Sequence, residues 1–256
     1  MHPEAQALSD RFLAALDQHA PGCVSAVYIV GSAALDDFIP GKSDLDFVAV
    51  MQRAITDDEG AAVAHGLSNT LDGIFLEPGD LALGPSAMEG PRPVFTDRGF
   101  SRAVESSARN PVAWATLASH GIAVRGARVS VLTLWNDPAE LIAWTKENAG
   151  AYWTRRRQGA SNVLSLPGAL ALAPFFATWS VLGLARQHYT VRKAGIISKS
   201  EAGRYALETF APRWRAIIEE ALAIRSGGGT TSSAARGLGS GPSMYVRNRK
   251  SSCLRT

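Results

Sequence analysis

The sequence predicts an N-terminal α/β domain with a mixed sheet, followed by an all-α C-terminal helical domain. Short runs of β-branched or aromatic residues, such as 27–30 and 47–50, are bounded by turn residues and indicate strands. Further along the chain the apolar spacing becomes mainly helical. We therefore expect an α/β domain at residues 1–97, a helical domain at residues 98–225 and a flexible basic tail at residues 226–256.

The elements of the α/β domain are predicted from periodicity and capping signals. Residues 5–19 carry apolar side chains at helical spacing, which favours an amphipathic helix. Thr56, with Glu59 three residues later, has the pattern of a capping box for a helix that ends near residue 71. Residues 73–76 form a further strand-like run that a Pro-Gly turn closes.

The rest of the chain is predicted to be helical, apart from short extended segments at residues 122–124 and 128–131. Residues 167–189 are apolar over most of their length and are expected to be buried. The other predicted helices lie at residues 100–107, 111–120, 138–157, 198–210 and 212–225.

Composition excludes several classes of protein. With 256 residues, 46% of them hydrophobic, the chain can bury a substantial core and is not of the disordered class. Its two cysteines, Cys23 and Cys253, make neither a disulfide framework nor a cysteine-based zinc site, which fits a reducing cytoplasm. No signal segment and no apolar run of membrane-spanning length is evident, so we expect a cytoplasmic protein with no membrane contact.

The net charge of +3 comes from the end of the chain. Residues 226–256 hold five basic residues and no acid, whereas residues 1–225 hold 21 basic and 23 acidic residues. The charge of the main body therefore argues against a nucleic-acid partner. A basic tail could contact nucleic acid, but we favour a solvated terminus.

Two short motifs around residues 31–46 carry the strongest chemical signal. Gly31-Ser32 follows the first predicted strand, and Ser43-Asp44-Leu45-Asp46 leads into the second. Residues i and i+2 of a strand point to the same side, so Asp44 and Asp46 are expected to project together. Two neighbouring carboxylates repel each other unless a cation lies between them, and oxygen ligands of this type suit Mg²⁺.

The glycine and the serines predict a phosphate-binding turn beside these carboxylates. Gly31 allows the backbone to approach a ligand closely, and Ser32 offers a hydroxyl next to free N–H groups at a helix start. Ser43 could add a second hydroxyl. Each motif alone is common, and the alternative is a surface hairpin with solvated acids. We favour the binding site because both motifs occur together, each beside its own strand.

A third carboxylate is expected on the next strand, where it could act as a general base. Asp72 precedes the run 73–76 and Glu77 follows it, and their spacing leaves both open. We favour Asp72 because it opens its strand as Asp44 opens the preceding one.

Two basic residues of the helical half could face a polyphosphate. Arg186 is the sole charge in a strongly apolar stretch and needs a partner, either a triphosphate or an internal carboxylate. Lys199 stands at a predicted helix start, where a cation is electrostatically unfavourable. We therefore expect Lys199 to serve an anion, with an exposed lysine as the alternative.

These residues resemble a known family. Gly31-Ser32 with Ser43-Asp44-Leu45-Asp46 looks like the signature of the nucleotidyltransferase superfamily. The segments 184–190, 195–199 and 202–208 are similar to the C-terminal domain of aminoglycoside nucleotidyltransferases, in particular the streptomycin/spectinomycin adenylyltransferases. The resemblance covers roughly residues 20–225 in order and implies a nucleotidyltransferase fold.

The resemblance also implies roles for individual residues. It implies that ATP donates AMP to a hydroxyl group of a small molecule, such as an aminoglycoside in antibiotic resistance, and that Mg²⁺ assists. The implied ligands are Asp44 and Asp46 for Mg²⁺, with Gly31, Ser32, Ser43, Arg186 and Lys199 around ATP and Asp72 as the base.

The acceptor and the oligomeric state stay open at this stage. The segment 159–174, which precedes the arginine-bearing helix, contains no acid that would attract a cationic drug. The alternatives are adenylylation of a protein hydroxyl and a catalytically silent nucleotide-binding regulator.

Overall fold

A six-stranded mixed sheet forms the centre of the N-terminal part of the protein. The computed structural model describes residues 1–67, 70–160 and 174–227. The strands are β1 (Val24–Ile29), β2 (Leu45–Met51), β3 (Leu71–Leu76), β4 (Arg92–Thr96), β5 (Gly99–Ala103) and β6 (Ile122–Arg125). Their order in the sheet is β5-β4-β3-β2-β1-β6. Strands β2 and β3 are parallel, and every other neighbouring pair is antiparallel.

Helices flank the sheet and then continue as a separate helical layer. The short turns at residues 129–131 and 212–214 are 3₁₀ helices. In the described part of the chain the α-helices are α1 (Pro3–His19), α2 (Gly31–Ala34), α3 (Asp57–Ala64), α4 (Asp80–Leu83), α5 (Pro111–His120), α6 (Pro138–Ala160), α7 (Pro174–Lys193), α8 (Lys199–Thr209) and α9 (Arg215–Arg225). None of these helices has the length and hydrophobicity that a membrane span requires.

Both faces of the sheet are packed with apolar side chains. On one face, Phe12 of α1 packs with Phe47, Phe75 and Phe95, whose rings lie 4.5–6.1 Å apart between centroids. On the other face, the fully buried Trp114 of α5 belongs to the second core. Because the two cores clamp the sheet, the ends of β2 and β3 are held in place.

Helices α7, α8 and α9, called the helical layer below, have their own core, which contains several small side chains. Ala185 of α7 packs with Ala202 and Ala206 of α8, and Ile218 of α9 completes the cluster. Ala185, Ala202 and Ala206 are fully buried. Small residues let helices approach closely, which places α7 and α8 side by side at the edge of the α/β part.

The predicted fold class is confirmed, since a mixed sheet with helices is followed by a helical region. The capping boxes of Thr56 with Glu59 and of Ser198 with Glu201 are both present. The helix after Thr56 ends at Ala64, earlier than expected.

One predicted helix, at residues 100–107, is wrong. Residues 99–103 form strand β5, which pairs with β4 from Arg92 opposite Ala103 to Thr96 opposite Gly99. Phe100 packs against Phe75 and Phe95, so aromatic packing and strand pairing outweigh the helical spacing. The predicted strand near residue 122 is confirmed as β6, whereas residues 129–131 form a 3₁₀ turn. The sheet thus draws two strands from beyond residue 97, and the expected tail lies outside the described residues from position 228 onwards.

Candidate functional site

Three carboxylates meet where β2 and β3 begin. The parallel register places Asp46 of β2 directly beside Asp72 of β3. Asp44 precedes β2, and ligand oxygens of Asp44, Asp46 and Asp72 lie within 4.8 Å of one another. Three hard oxygen donors at this spacing fit a divalent cation such as Mg²⁺.

The electrostatics of this cluster also favour a cation. Burial, followed by the charges of Asp44 and Asp72, raises the pKa of Asp46 to about 7. Burial likewise raises the pKa of Asp72, and the charges of Asp44 and Asp97 add to that effect. Carboxylates in such surroundings are costly to ionise without a positive partner, which a metal ion would provide.

Gly31 brings the backbone against this cluster. It adopts a left-handed φ of +60°, and a Cβ atom at this position would overlap the Asp46 carboxylate. The backbone N–H of the next residue, Ser32, lowers the pKa of that carboxylate and so opposes the effect of burial. The Ser32 hydroxyl oxygen is buried and has no hydrogen-bond partner among the described residues. A buried hydroxyl without a partner beside exposed ligand space is suited to a bound phosphate oxygen.

Ser43 lies in the turn that precedes Asp44 and lines the same cavity as Ser32. Its hydroxyl accepts a hydrogen bond of 3.0 Å from the N–H of Ile39, and its own N–H donates to the Ile39 carbonyl. Ser43 therefore closes the turn that precedes Asp44. The hydroxyl proton remains available to a ligand.

A single cavity joins the carboxylates to the helical layer. It has a volume of about 1130 Å³, and its walls include Asp44, Asp46 and Asp72 together with Arg186 and Lys199. Arg186 lies on α7, and Lys199 is the first residue of α8. The cavity is large enough for a nucleoside triphosphate and a second small molecule.

Arg186 and Lys199 are cations without an ion-pair partner in the described part of the chain. Burial lowers the pKa of both groups, although Asp46 opposes the effect in each case. The internal carboxylate considered for Arg186 thus acts only at a distance. Two desolvated cations that face a common cavity favour an anionic ligand.

Strand register separates the two candidates for the third carboxylate. Glu77 lies beyond the far end of β3, is exposed, and pairs with Arg92 at 3.5 Å. Asp72 lies at the near end, within the cluster. Of the two residues left open by the sequence, only Asp72 can reach the cavity.

Sequence reasoning missed Ser107, which holds Asp72. Its hydroxyl lies 3.0 Å from each carboxylate oxygen of Asp72. Ser107 follows β5, in the segment for which a helix was wrongly predicted. No local pattern indicates a contact across 35 residues.

Sequence reasoning also missed a cluster that links the loop after Gly31-Ser32 to the helical layer. Asp37, six residues after Gly31, accepts hydrogen bonds from the N–H of Ser200 at 3.1 Å and from Arg225 at 2.7 Å. Ser200 also donates its hydroxyl to Asp37 at 2.5 Å. Burial would raise the pKa of Asp37, but the Ser200 hydrogen bonds and the Arg225 charge hold it below its usual value. Lys199 is therefore anchored through its neighbour Ser200.

Replacement of Asp37 by Ala is expected to destabilise the protein strongly. The side chains of Asp37 and Arg225 are only 11% and 10% exposed, so Arg225 would be left buried and unpaired. Loss of one partner of such a pair costs about 3–5 kcal/mol. Chemical denaturation of the variant would measure this change in the free energy of unfolding.

The exposed pair of Arg215 and Glu219, at 3.3 Å, is the control for this prediction. Glu219→Ala should cost less than about 1 kcal/mol. Equal effects of Asp37→Ala and Glu219→Ala would contradict a stabilising role for the buried pair.

The C-terminal part of the chain matches a described family. Residues 165–237 match the family model for the aminoglycoside adenylyltransferase, C-terminal domain. The chain resembles the aminoglycoside adenylyltransferases. The matched range includes the segments 184–190, 195–199 and 202–208, on which the sequence analysis based the same resemblance.

The adenylyltransferase fold extends beyond that region. The crystal structure of spectinomycin adenyltransferase AAD(9) from Enterococcus faecialis, with ATP and spectinomycin, is similar to this chain with a TM-score of 0.64. The match covers 91% of this chain and 97% of that chain at 14% sequence identity. At this identity the similarity shows a shared fold. No curated protein matches the chain.

Proposed function

We propose that the protein is a Mg²⁺-dependent adenylyltransferase that moves AMP from ATP to a hydroxyl group of a small molecule. The observation that carries this proposal is the cavity that three clustered carboxylates share with Arg186 and Lys199, two cations that pair with no acid in the described parts of the chain. The family match and the shared fold support the same reaction class.

The residues around the carboxylates would bind the triphosphate. Asp44 and Asp46 would hold Mg²⁺, which neutralises charge on the triphosphate and on the departing pyrophosphate. Ser32 and Ser43 would donate their hydroxyls to phosphate oxygens, and the absence of a side chain at Gly31 keeps this approach open. Arg186 and Lys199 would pair with the phosphates from the helical layer.

Asp72 would take the proton from the acceptor hydroxyl. Its raised pKa makes it a better proton acceptor than an ordinary aspartate, and Ser107 keeps its carboxylate in place. The acceptor oxygen forms a bond to the α-phosphorus while the bond to the bridging oxygen breaks and pyrophosphate leaves. The protein contributes mainly placement and charge stabilisation.

Product analysis tests this proposal. The protein, Mg²⁺ and ATP are mixed with a panel of hydroxyl compounds that begins with streptomycin and spectinomycin, and pyrophosphate is followed together with product mass. We expect stoichiometric release of pyrophosphate and a product heavier by one AMP unit. Tight ATP binding without pyrophosphate from any acceptor would instead indicate a silent nucleotide-binding protein.

The stabilisation of the protein by Mg²⁺ should depend on pH. Because the pKa of Asp46 is raised to about 7, the metal-free folded protein binds a proton more tightly than the unfolded chain does. That contribution to stability is present at low pH and is lost as the pH rises towards 7. Mg²⁺ competes with this proton, so it should raise the melting temperature more at about pH 8 than at about pH 6.

Thermal unfolding with and without Mg²⁺ at both pH values checks this expectation. In Asp46→Asn, which lacks the titrating group, the effect of Mg²⁺ should be small at both. An equal effect of Mg²⁺ on the native protein at the two pH values would contradict the assignment of Asp46 as a ligand.

A further inference from the structure

We infer that the acceptor is a hydroxyl compound without positive charge. This inference rests on the proposed function, because the proton acceptor Asp72 marks the place where the acceptor hydroxyl must lie. It goes further by assigning a charge class to the acceptor and a wall of the cavity to its binding.

The acidic groups of the cavity can be counted for the entire chain. All 23 Asp and Glu residues lie at described positions, so no undescribed segment could add a side-chain carboxylate. The acids that line the cavity are Glu4, Asp37, Asp44, Asp46 and Asp72. Three of these form the metal-type cluster. Asp44 and Asp46 would face Mg²⁺ and ATP, and Asp72 would accept the proton of the acceptor hydroxyl.

The other two acids already have partners within the protein. Asp37 is paired with Arg225 at 2.7 Å. Glu4 belongs to α1, is exposed, and accepts a hydrogen bond of 3.0 Å from the N–H of Gly41. Asp97 acts on the pKa of Asp72 but is exposed in the turn after β4 and does not line the cavity. Apart from the base Asp72 itself, none of the described side chains therefore offers an unengaged carboxylate to an acceptor ammonium group beside Asp72.

The wall next to Asp72 is uncharged. Ser107, which bonds Asp72, leads into Ala108 and Asn110, and the first turn of α5 adds Val112 and Ala113 to the lining. The Asn110 side chain accepts the N–H groups of Val112 and Ala113 at 2.9 and 3.1 Å. The helix start consequently has these donors satisfied and does not attract an anion either.

A polycationic acceptor would be desolvated at this wall without compensation. Its ammonium groups would lose water and meet methyl groups, hydroxyls and an amide. An uncharged polyol or glycoside does not carry this cost, so the wall discriminates against the cation.

A matched set of three ligands tests the inference. Spectinomycin carries two basic secondary amines; N,N′-diacetylspectinomycin keeps its hydroxyls without these charges, and N,N′-diethylspectinomycin keeps the charges with similar added bulk. Each is titrated calorimetrically into the complex of the protein with Mg²⁺ and a non-hydrolysable ATP analogue. We expect the diacetyl compound to bind at least about tenfold more tightly than either of the two cationic ligands, spectinomycin and its diethyl derivative.

The variant Asn110→Asp provides the reverse experiment. Aspartate caps a helix as well as asparagine does, so α5 should be retained while the wall gains one negative charge. The variant loses the hydrogen bond that the Asn110 amide donates to the Ser107 carbonyl, so its binding of the diacetyl compound is the internal reference. We expect the variant to bind spectinomycin about tenfold more tightly than the native protein does, with little change for the diacetyl compound. Circular dichroism and the melting temperature would verify that its fold is intact.

The outcomes separate this inference from the proposed function. Tighter binding of spectinomycin than of the diacetyl compound by the native protein, or no difference among the three ligands, would overturn the inference. Adenylylation of spectinomycin with multiple turnovers would also overturn it while supporting the proposed reaction. Failure of Mg²⁺-dependent binding of the ATP analogue would instead remove the proposed function itself.

Discussion

Replacement of Asp44 by Asn is expected to lower pyrophosphate release on the order of 10³-fold, equivalent to about 4 kcal/mol of transition-state stabilisation. Asp44, Asp46 and Asp72 present their oxygens within 4.8 Å of one another, so loss of one anionic ligand weakens the grip on a divalent cation. Asparagine preserves the shape of the side chain. The expected loss is therefore due to charge and ligation, and an assay of pyrophosphate release with saturating ATP would measure it.

The same substitution should not destabilise the metal-free protein. The charge of Asp44 contributes to the raised pKa of Asp46, so its removal relieves repulsion within the cluster. We expect an unchanged or higher melting temperature without metal and a smaller gain when Mg²⁺ is added. Together these results would separate a functional loss from a folding defect.

Asp36→Asn is the matched control for Asp44→Asn. Asp36 is exposed, does not line the cavity, and has a φ of 52°, a conformation that asparagine adopts readily. It should retain nearly full activity. Pyrophosphate release by Asp44→Asn within about threefold of the native rate would overturn the metal-binding role of the cluster.

Replacement of Gly31 by Ala is expected to abolish activity and to lower stability. The left-handed φ of +60° costs an L-residue about 1–2 kcal/mol, and the added Cβ would also overlap the Asp46 carboxylate. To relieve that overlap, either Asp46 must move away from Asp44 and Asp72, or the backbone turn at Gly31-Ser32 must move away from Asp46. Either movement disturbs the metal-type cluster and the N–H of Ser32 together.

Gly41→Ala isolates the cost of backbone strain. Gly41 has a φ of +67°, but a Cβ there would meet nothing within 4 Å. Both variants are destabilised by the left-handed backbone conformation, and only Gly31→Ala adds an overlap of the new Cβ atom with the Asp46 carboxylate. Chemical denaturation and pyrophosphate assays of both variants should therefore show a moderate loss of stability for Gly41→Ala and a loss of activity only for Gly31→Ala. Equal activities would count against the close approach at Gly31.

The candidate site was predictable from sequence where its residues are neighbours in the chain. Asp44 and Asp46 are two residues apart, and strand periodicity alone places them on one side. Gly31 and Ser32 follow an apolar run that had to be a strand. Ser198 opens the predicted helix at residues 198–210, and in the structure its side chain caps the helix that begins at Lys199.

Contacts between residues that are distant in the chain leave no local pattern in the sequence from which they could be predicted. The choice between Asp72 and Glu77 depends on the pairing of Asp46 with Asp72 across β2 and β3, which strand spacing alone leaves open. The helix expected at Phe100 is replaced by strand β5, because pairing with β4 and packing against Phe75, 25 residues earlier in the chain, outweigh the local apolar spacing. The contacts of Asp37 with Ser200 and Arg225 span more than 160 residues.

The sequence by itself determined the chemical groups of the candidate site: a pair of carboxylates beside a Gly-Ser turn, and two basic residues on later helices. Only the tertiary structure decided which third carboxylate joins that pair, which serine holds it, and which side chains line the cavity around them. The physical reason is that backbone periodicity acts over a few residues, whereas strand register and helix docking are set by burial and pairing between distant segments.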